Sequence, residues 1–197
     1  MIVTMVVLVL VALAAGIAVV GFNALRKSDI GAQEALGGID VQLTRRADLI
    51  PNLVETVKGY AAQEKSVLEA VINARARATQ VQVQLPADIV TNPDAFKKFQ
   101  EAQSQLTGAL GRLLAVQEAY PDLKSNQNFL ALQSQLDGTE NRISVARGDY
   151  IEAVRVYNTE LRTFPGVIWA STLYRSQKPM ETFTVADDVK RPPAVKF

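Results

Sequence analysis

Three groups of polar side chains carry whatever chemistry this sequence could perform. They are Asp40, Arg45, Arg46 and Asp48 with the adjacent Pro51 and Asn52; Glu140, Asn141 and Arg142; and Asp149, Glu152 and Arg155. Paired carboxylates can share acid–base work or hold a divalent cation. These groups are therefore the candidates for a catalytic site, a metal site or a structural network.

The residue types that are missing restrict this chemistry. The 197 residues include no histidine and no cysteine. Catalytic triads, histidine metal ligands, thiol nucleophiles, disulfides and cysteine-rich zinc or iron–sulfur sites are thereby excluded. Metal sites in helical bundles usually pair glutamate with histidine, so only an all-oxygen site is left, and no calcium-loop spacing occurs. We expect no metal ion and no cofactor.

Three interpretations of the charged groups stay open. In the first, the charges are solvated or paired one helical turn apart, as Arg45 and Asp48 could be. In the second, a semi-buried network joins the first and third predicted helices, because Arg46 falls on an apolar seam. In the third, an enzyme of unknown reaction uses the cluster of Arg46, Asp48, Glu140 and Arg142. We favour a non-enzymatic protein in which these residues have structural or interaction roles.

The charge balance gives no sign of nucleic-acid binding. Lys+Arg total 21 and Asp+Glu total 20, a formal net charge of +1. Nucleic-acid-binding proteins normally carry a basic excess. We therefore predict no nucleic-acid partner.

The first 25 residues have the composition of a membrane-spanning helix. No Asp, Glu, Lys or Arg occurs between Met1 and Leu25. About 20 apolar residues, each rising about 1.5 Å, cross a hydrocarbon core of about 30 Å. A cleavable signal peptide is the alternative, but no Lys or Arg precedes the apolar run, which continues past the small residues at 12–14. We predict an uncleaved single-pass anchor over residues 1–25.

The charges that flank this segment bear on its orientation. Arg26 and Lys27 follow it directly, and no side-chain charge precedes it. The positive-inside rule then favours a cytoplasmic position for the rest of the chain. The bias amounts to two residues, so the opposite orientation stays open.

A heptad repeat of apolar residues predicts a long first helix near residues 28–80. The repeat starts at Leu36 and is interrupted at Arg46 and Glu64. Sustained seven-residue spacing is typical of a helix that packs along its whole length. Pro51 lies inside the repeat without changing its phase, so we predict a kink there rather than two helices.

The remaining sequence predicts further helices near residues 93–119, 126–163 and 166–174. Residues 81–85 alternate like a strand, but one short strand would leave its edges unpaired, so we predict a connecting loop. Short connections favour antiparallel neighbours. The predicted fold is all-α, an N-terminal transmembrane helix followed by an antiparallel up-and-down bundle of three long helices plus a short fourth. The bundle would occupy residues 26–175, followed by an extended, mobile tail over residues 176–197.

Uncharged residues outside the seam of the first helix offer a surface for self-association. They are Gln33, Ala35, Gln42, Ala47, Ala61, Ala62 and Gln63. A neighbouring bundle could cover them at modest desolvation cost. Small residues between Ala14 and Gly21 would also allow close helix approach in lipid. We therefore predict a homo-oligomer.

Several long strings of this sequence are those of a known family. They include Ile-Asp-Val-Gln-Leu at 39–43, Asp-Leu-Ile-Pro-Asn-Leu-Val at 48–54, Glu-Ala-Tyr-Pro-Asp-Leu-Lys at 118–124 and Thr-Glu-Asn-Arg-Ile at 139–143. In this order, and over nearly the whole chain, the sequence resembles the LemA family of bacterial membrane proteins. The resemblance implies an N-terminal transmembrane helix, an antiparallel helical bundle and no established enzymatic activity.

The resemblance also implies partners. A relative in magnetosome formation implies membrane shaping, and family genes near membrane metalloproteases imply an adaptor in envelope quality control. We therefore predict a non-enzymatic scaffold or adaptor in the bacterial inner membrane. Its expected partners are the membrane, a second copy of the chain and other membrane proteins such as a metalloprotease.

Two departures from the family pattern affect the ends of the bundle. Gly37 and Gly38 precede the first string where an aromatic residue is common, and this double glycine favours a flexible joint between anchor and bundle. Near the end of the chain, the family's Lys-Pro-aromatic-Phe-Glu string appears only as Lys-Pro-Met-Glu-Thr-Phe at 178–183. The role of this C-terminal segment is therefore left open.

Overall fold

The computed structural model describes residues 1–84, 86, 88–172 and 177–183, and its regular elements are all helices. They are α1 Ile2–Tyr60, α2 Lys65–Val83, α3 Pro93–Ala115, α4 Pro121–Lys124, α5 Gln127–Arg162 and α6 Gly166–Ser171, with 3-10 turns at Ile89–Thr91 and Val116–Ala119. No strand occurs among these residues. The predicted all-α class is confirmed.

Helix α1 carries both the apolar segment and one side of the bundle in 59 uninterrupted residues. It passes through Pro51 without ending, as predicted. It also passes through Gly37 and Gly38, so the predicted flexible joint is wrong. Ala32 and Ile39 are fully buried on either side of the glycines. Packing at these two positions keeps the helix continuous through residues that by themselves weaken it.

The first predicted helix, near residues 28–80, is in fact two helices. Helix α1 ends at Tyr60, the chain reverses over residues 61–64, and α2 returns alongside α1. Arg75 Nε donates to the Ala47 carbonyl at 2.8 Å, and Gln82 Nε2 donates to Asp40 Oδ1 at 2.6 Å. The bundle therefore has four long antiparallel helices rather than three.

The boundaries of the later helices follow local sequence signals. Asn92 caps α3 by accepting from the Ala95 N–H at 3.1 Å, and Asn126 caps α5 by accepting from the Phe129 N–H at 2.9 Å. Both are standard N-cap contacts. Helix α2 extends to Val83, so the loop predicted at 81–85 is wrong for residues 81–83, which form its last turn; Leu85 lies outside the described residues. Residues 173–174 of the last predicted helix also lie outside them.

The core consists of two apolar clusters, one toward each end of the bundle. Helix α1 packs along α5, and α2 packs along α3. Ile50, Val57 and Leu113 belong to the cluster near the turn after α1, whereas Ile39 and Tyr157 belong to the cluster near the apolar segment.

Residues 177–183, here called the strap, return to the bundle without forming a helix. Met180 is buried, its N–H donates to Asn158 Oδ1 at 2.9 Å, and its carbonyl accepts from Asn158 Nδ2 at 3.0 Å. The Glu181 N–H donates to the Val90 carbonyl at 2.6 Å. These contacts attach the strap to the bundle, and the mobility predicted for the tail stays a prediction. Residues 176 and 184–197 lie outside the described residues.

The apolar start of α1 is largely uncovered by the other described residues. Nearly every residue from 1 to 20 is exposed, and buried positions begin at Gly21. Mean hydropathy over an 18-residue window reaches 3.0, and α1 is the one described helix long and apolar enough to cross a membrane.

Candidate functional site

Arg46 is a fully buried cation at the boundary between the two core clusters. Helix α1 places it between Leu43 and Ile50 on the face that packs into the bundle, and its exposed fraction is 0%. Arg46 Nη1 donates to Glu140 Oε1 at 2.6 Å and to Thr107 Oγ1 at 3.0 Å. Nη2 donates to Gln103 Oε1 at 2.6 Å. One guanidinium thus binds α1 to α3 and to α5.

The other helices contribute polar residues where their core stripes would otherwise be apolar. Gln103 lies between Phe99 and Leu106 on α3 and is buried. Thr139 on α5 is also buried, donates to the Gln135 carbonyl at 2.8 Å and accepts from Arg142 Nη2 at 3.3 Å. We call this set the arginine layer, formed by Arg46, Gln103, Thr107, Thr139 and Glu140.

A second cation, Arg147, lies beside the arginine layer. Burial lowers the pKa of Arg147, the charge of Arg46 lowers it further, and the Glu140 carboxylate opposes both effects. Its guanidinium carbon lies 5.1 Å from the centre of the Phe183 ring in the strap, a cation–π contact. Glu140, the carboxylate that pairs with Arg46, has a side chain that is 36% exposed.

Three nitrogen donors around the arginine layer have no hydrogen-bond partner among the described residues: Arg46 Nε, Gln103 Nε2 and Arg147 Nε. A groove of about 650 Å³ lies next to them, between α3 and the strap. Thr107 and Arg147 give it a polar wall, and the rings of Phe96 and Phe183 give it an apolar one. Such a groove can bind a group that accepts hydrogen bonds, but the arginine layer itself is arranged to fix helices.

The comparison with known families decides the family. The LemA family profile matches residues 35–197. The chain belongs to the LemA family. The match covers the bundle and the strap and starts after the apolar segment.

Curated relatives of this LemA protein are magnetosome proteins. Magnetosome protein MamQ 2 of Paramagnetospirillum magneticum is 27% identical over 140 residues, which cover 64% of this chain and 52% of the relative. Magnetosome protein MamQ of Magnetospirillum gryphiswaldense is 24% identical over 158 residues, which cover 73% of this chain and 58% of the relative. The chain thus spans little more than half the length of the relatives it matches.

Glu140 belongs to the LemA-like string at 139–143, and its ion-pair partner Arg46 lies between the strings at 39–43 and 48–54. Of the remaining candidates, Asp40 accepts from Gln82, and Arg142 Nε donates to Gln42 Oε1 at 3.3 Å, so these two connect neighbouring helices at the surface. Other candidates are exposed, and they are Arg45, Asp48, Pro51, Asn52 and Asn141.

The four-residue cluster expected of an enzyme is divided between the core and the surface. Arg46 is buried and paired with Glu140, whereas Asp48 and Arg142 are exposed. No ion pair between Arg45 and Asp48 is present among the described residues.

The third polar group predicted from the sequence lies on α5. Arg155 pairs with Glu152 at 2.6 Å on the exposed surface of α5, one turn apart. This contact raises the pKa of Arg155 and lowers that of Glu152. The described residues include no group of three acidic residues close enough together to hold a metal ion.

Sequence reasoning overlooked four residues around Arg46. They are Gln103, Thr107, Thr139 and Arg147. Gln103 and Thr139 had a detectable signal, because each is a polar residue at a position where the stripe of its helix requires an apolar one. Thr107 and Arg147 lie beside their stripes and had none.

Proposed function

We propose that this LemA-family protein is a membrane-anchored, non-enzymatic scaffold or adaptor whose bundle self-associates or binds envelope proteins at the bilayer surface. The observation that carries the proposal is the continuity of α1. The apolar segment and the core of the bundle share one helix, so the bundle cannot swivel on a linker.

The uncovered apolar residues support the anchoring part of the proposal. Helix α1 exposes large side chains throughout residues 2–20, and the other described residues leave them largely uncovered. A helix satisfies its own backbone hydrogen bonds and can therefore enter lipid. Arg26 and Lys27 are exposed at the end of the apolar segment. They support an anchor in the bacterial inner membrane with the bundle on its cytoplasmic side.

The end of the bundle remote from the anchor suits contact with a partner. Asn126 Nδ2 donates to Tyr60 Oη at 2.8 Å, and Tyr120 Oη donates to Glu64 Oε1 at 2.8 Å, so the two turns at this end are braced against each other. Tyr60 is exposed there. We call residues 60–64 and 120–128 the distal tip. Rigid, exposed tyrosine is favoured at protein–protein contacts because it buries much area at small entropic cost.

Two processes are compatible with this scaffold. Similarity to magnetosome proteins supports a version in which assembled bundles shape the membrane. An adaptor for a membrane protein such as a metalloprotease is the second version, in which the distal tip binds the partner one to one.

Photo-crosslinking from the distal tip in native membranes tests the proposal. A photoreactive residue at the exposed Gln63 is compared with one at the exposed Val145 in the middle of α5. Adducts from position 63 at twice the 21.5 kDa chain mass support self-association, and adducts with another membrane protein support an adaptor. No adduct from position 63 above the level at position 145, at native expression, contradicts the proposal.

A reporter fused after Phe197 tests the orientation separately. Alkaline phosphatase is active only outside the cytoplasm, so we expect an inactive fusion. An active fusion would place the bundle on the other side of the membrane.

A further inference from the structure

The corner between α5 and α6, residues 164–169, carries apolar side chains that no described part of the chain covers. The exposed fractions are 69% for Phe164, 42% for Val167 and 46% for Ile168. Three large exposed apolar side chains within five residues are uncommon on a surface that faces only water. The corner therefore requires a partner.

The corner lies directly against the end of the apolar segment. Pro165 lines one shallow groove together with Gly16, Ile17 and Val20 of α1. The Trp169 ring meets the Phe22 ring edge-on with centroids 6.0 Å apart. The exposed side chains of the corner are thus at the depth where α1 passes from its uncovered apolar stretch into the bundle.

Glycine at position 21 is required by this contact. A Cβ atom there would overlap the Pro165 ring and come within 3.3 Å of Trp169 Nε1. Gly21 therefore admits α6 within its own chain, and this use differs from the approach of a second anchor expected from the sequence.

The exposed charged residues next to the corner, on its bundle side, are basic, namely Arg26, Lys27 and Arg162. The acidic neighbours are more buried: Asp29 pairs with Arg26 at 3.3 Å, and Glu160 is half-buried. Moving from the apolar segment toward the bundle, one meets exposed aliphatic side chains, then Trp169, then cations. Hydrocarbon, interface and phosphate follow each other in this order in a bilayer.

We propose that this corner is a second membrane contact, in which Phe164, Val167 and Ile168 enter the lipid interface beside the anchor. The inference rests on the membrane anchoring proposed above. One spanning helix by itself leaves the protein free to tilt in the bilayer. A second contact on one side of α1 limits this tilt, so the distal tip is held at a defined height above the membrane.

Single cysteines make the test direct, because the chain has none of its own. A polarity-sensitive fluorophore is attached to one introduced cysteine in the full-length chain, which is placed in phosphatidylethanolamine–phosphatidylglycerol vesicles. The four variants are Phe164→Cys, Ile168→Cys, Leu13→Cys and Val145→Cys. Nitroxide-bearing lipids should quench labels at positions 13, 164 and 168 severalfold more than the label at position 145. Val145 is the matched control because it is 66% exposed and remote from the corner.

The labels distinguish failure of this inference from failure of the anchoring. Lipid quenching at position 13 with water exposure at 164 and 168 overturns the corner contact alone. Water exposure at position 13 overturns the anchoring itself. A third outcome is that the labels at 164 and 168 are shielded from water but are not quenched by lipid. If they then become exposed when the protein is diluted in the membrane, a second copy covers the corner, and the lipid contact is overturned.

The single tryptophan gives a second measurement on the natural side chain. Lipids brominated near the headgroup should quench Trp169 emission, and the double variant Phe164→Glu with Ile168→Glu should lose much of this quenching at unchanged helix content. Val145→Glu is the control and should leave it unchanged. Equal quenching in the double variant and the parent overturns the proposal.

Discussion

Arg46 shows what a single buried charge does in this bundle. Taking a guanidinium out of water costs several kcal/mol, and well-placed hydrogen bonds and the ion pair offset that cost. Its three acceptors lie 57 to 94 positions away in sequence, on two other helices. A shift of any one helix by a turn would leave the charge without them. We therefore propose that Arg46 fixes the register of the helices more than it adds stability.

The first prediction concerns the ion pair of Arg46. Glu140→Ala should lower the free energy of unfolding by about 2–4 kcal/mol, because it leaves a buried cation without its carboxylate. The double variant Arg46→Met with Glu140→Ala should recover much of this loss, because methionine has no charge to solvate. Urea unfolding of the full chain in detergent, followed by circular dichroism, measures both.

The exposed pair on α5 supplies the control for that prediction. Arg155→Met removes an ion pair of equal length from the surface and should produce no measurable change. If Glu140→Ala is as harmless as Arg155→Met, the arginine layer has no structural role. A stable double variant that lost the turnover of an identified substrate would instead support an enzyme.

The second prediction concerns Tyr157 under the strap. Its hydroxyl donates to Gln177 Oε1 at 2.7 Å, and burial, followed by the charge of Asp29, raises its pKa from 10.0 to about 12. The folded protein therefore keeps this proton while the unfolded chain releases it. Stability should be unaffected below pH 10 and fall as the pH rises from 10 to about 12.

Denaturant unfolding at several pH values checks this dependence. Burial and the charge of Glu181 raise the pKa of Tyr150 as well, so both tyrosines contribute to the slope. Tyr157→Phe should make the decline above pH 10 shallower, whereas Tyr60→Phe at the exposed distal tip should not. An unchanged slope in Tyr157→Phe contradicts the prediction.

At the scale of elements, the continuity of α1 joins the apolar segment to the bundle without an interruption of the helix. The helix remains intact through two adjacent glycines because packing on both sides holds it, and not because its local sequence favours it. A Cβ atom built on Gly37 or Gly38 meets no atom within 4 Å. The glycines therefore cost stability without serving a close contact.

The third prediction follows from that open space. Gly37→Ala and Gly38→Ala should each raise the free energy of unfolding by about 0.5–1 kcal/mol, because alanine loses less backbone entropy in a helix. Thermal or urea unfolding of the full chain measures the change. Gly166→Ala is the opposing control, because its Cβ would overlap the Glu160 carbonyl and should destabilise the protein. Destabilisation by both alanines in α1 would mean that these glycines serve a contact with a partner.

At the scale of the whole molecule, the bundle continues directly from the apolar segment along α1. From Leu25 to the distal tip, α1 rises about 1.5 Å per residue and so reaches about 55 Å. Two contacts at its base, the anchor and the corner of residues 164–169, would hold it upright. The scaffold would then present its distal tip at a fixed height above the membrane.

The fourth prediction is this height. A fluorophore on Gln63→Cys should lie about 55 Å from acceptors at the vesicle surface, and one on Lys27→Cys should lie within about 15 Å, since the helix between them is continuous. Energy transfer in vesicles that carry the full-length chain measures both distances. A distance below about 30 Å at position 63 would show that the bundle lies along the membrane rather than projecting from it.

The sequence by itself determined the features that depend on neighbours within a few turns. Apolar spacing predicts the helical class, Asn92 and Asn126 mark two helix starts, and the first 25 residues stand out by composition alone. It also showed that Arg46 interrupts an apolar seam, and Gln103 and Thr139 could have been found by the same signal. These signals are local, because helix periodicity and capping act over three to seven residues.

The tertiary structure alone decided which segments meet. One long helix and two helices joined by a turn can show the same heptad spacing of apolar residues, because each helix keeps an apolar face toward the core. The sequence pattern therefore did not reveal the turn at residues 61–64. The partners of Arg46, the seating of the strap under Asn158 and the contact of Pro165 with Gly21 join residues far apart in the chain. Such pairings are set by how four helices together bury their apolar faces, and that is a property of the whole bundle rather than of any one stretch of sequence.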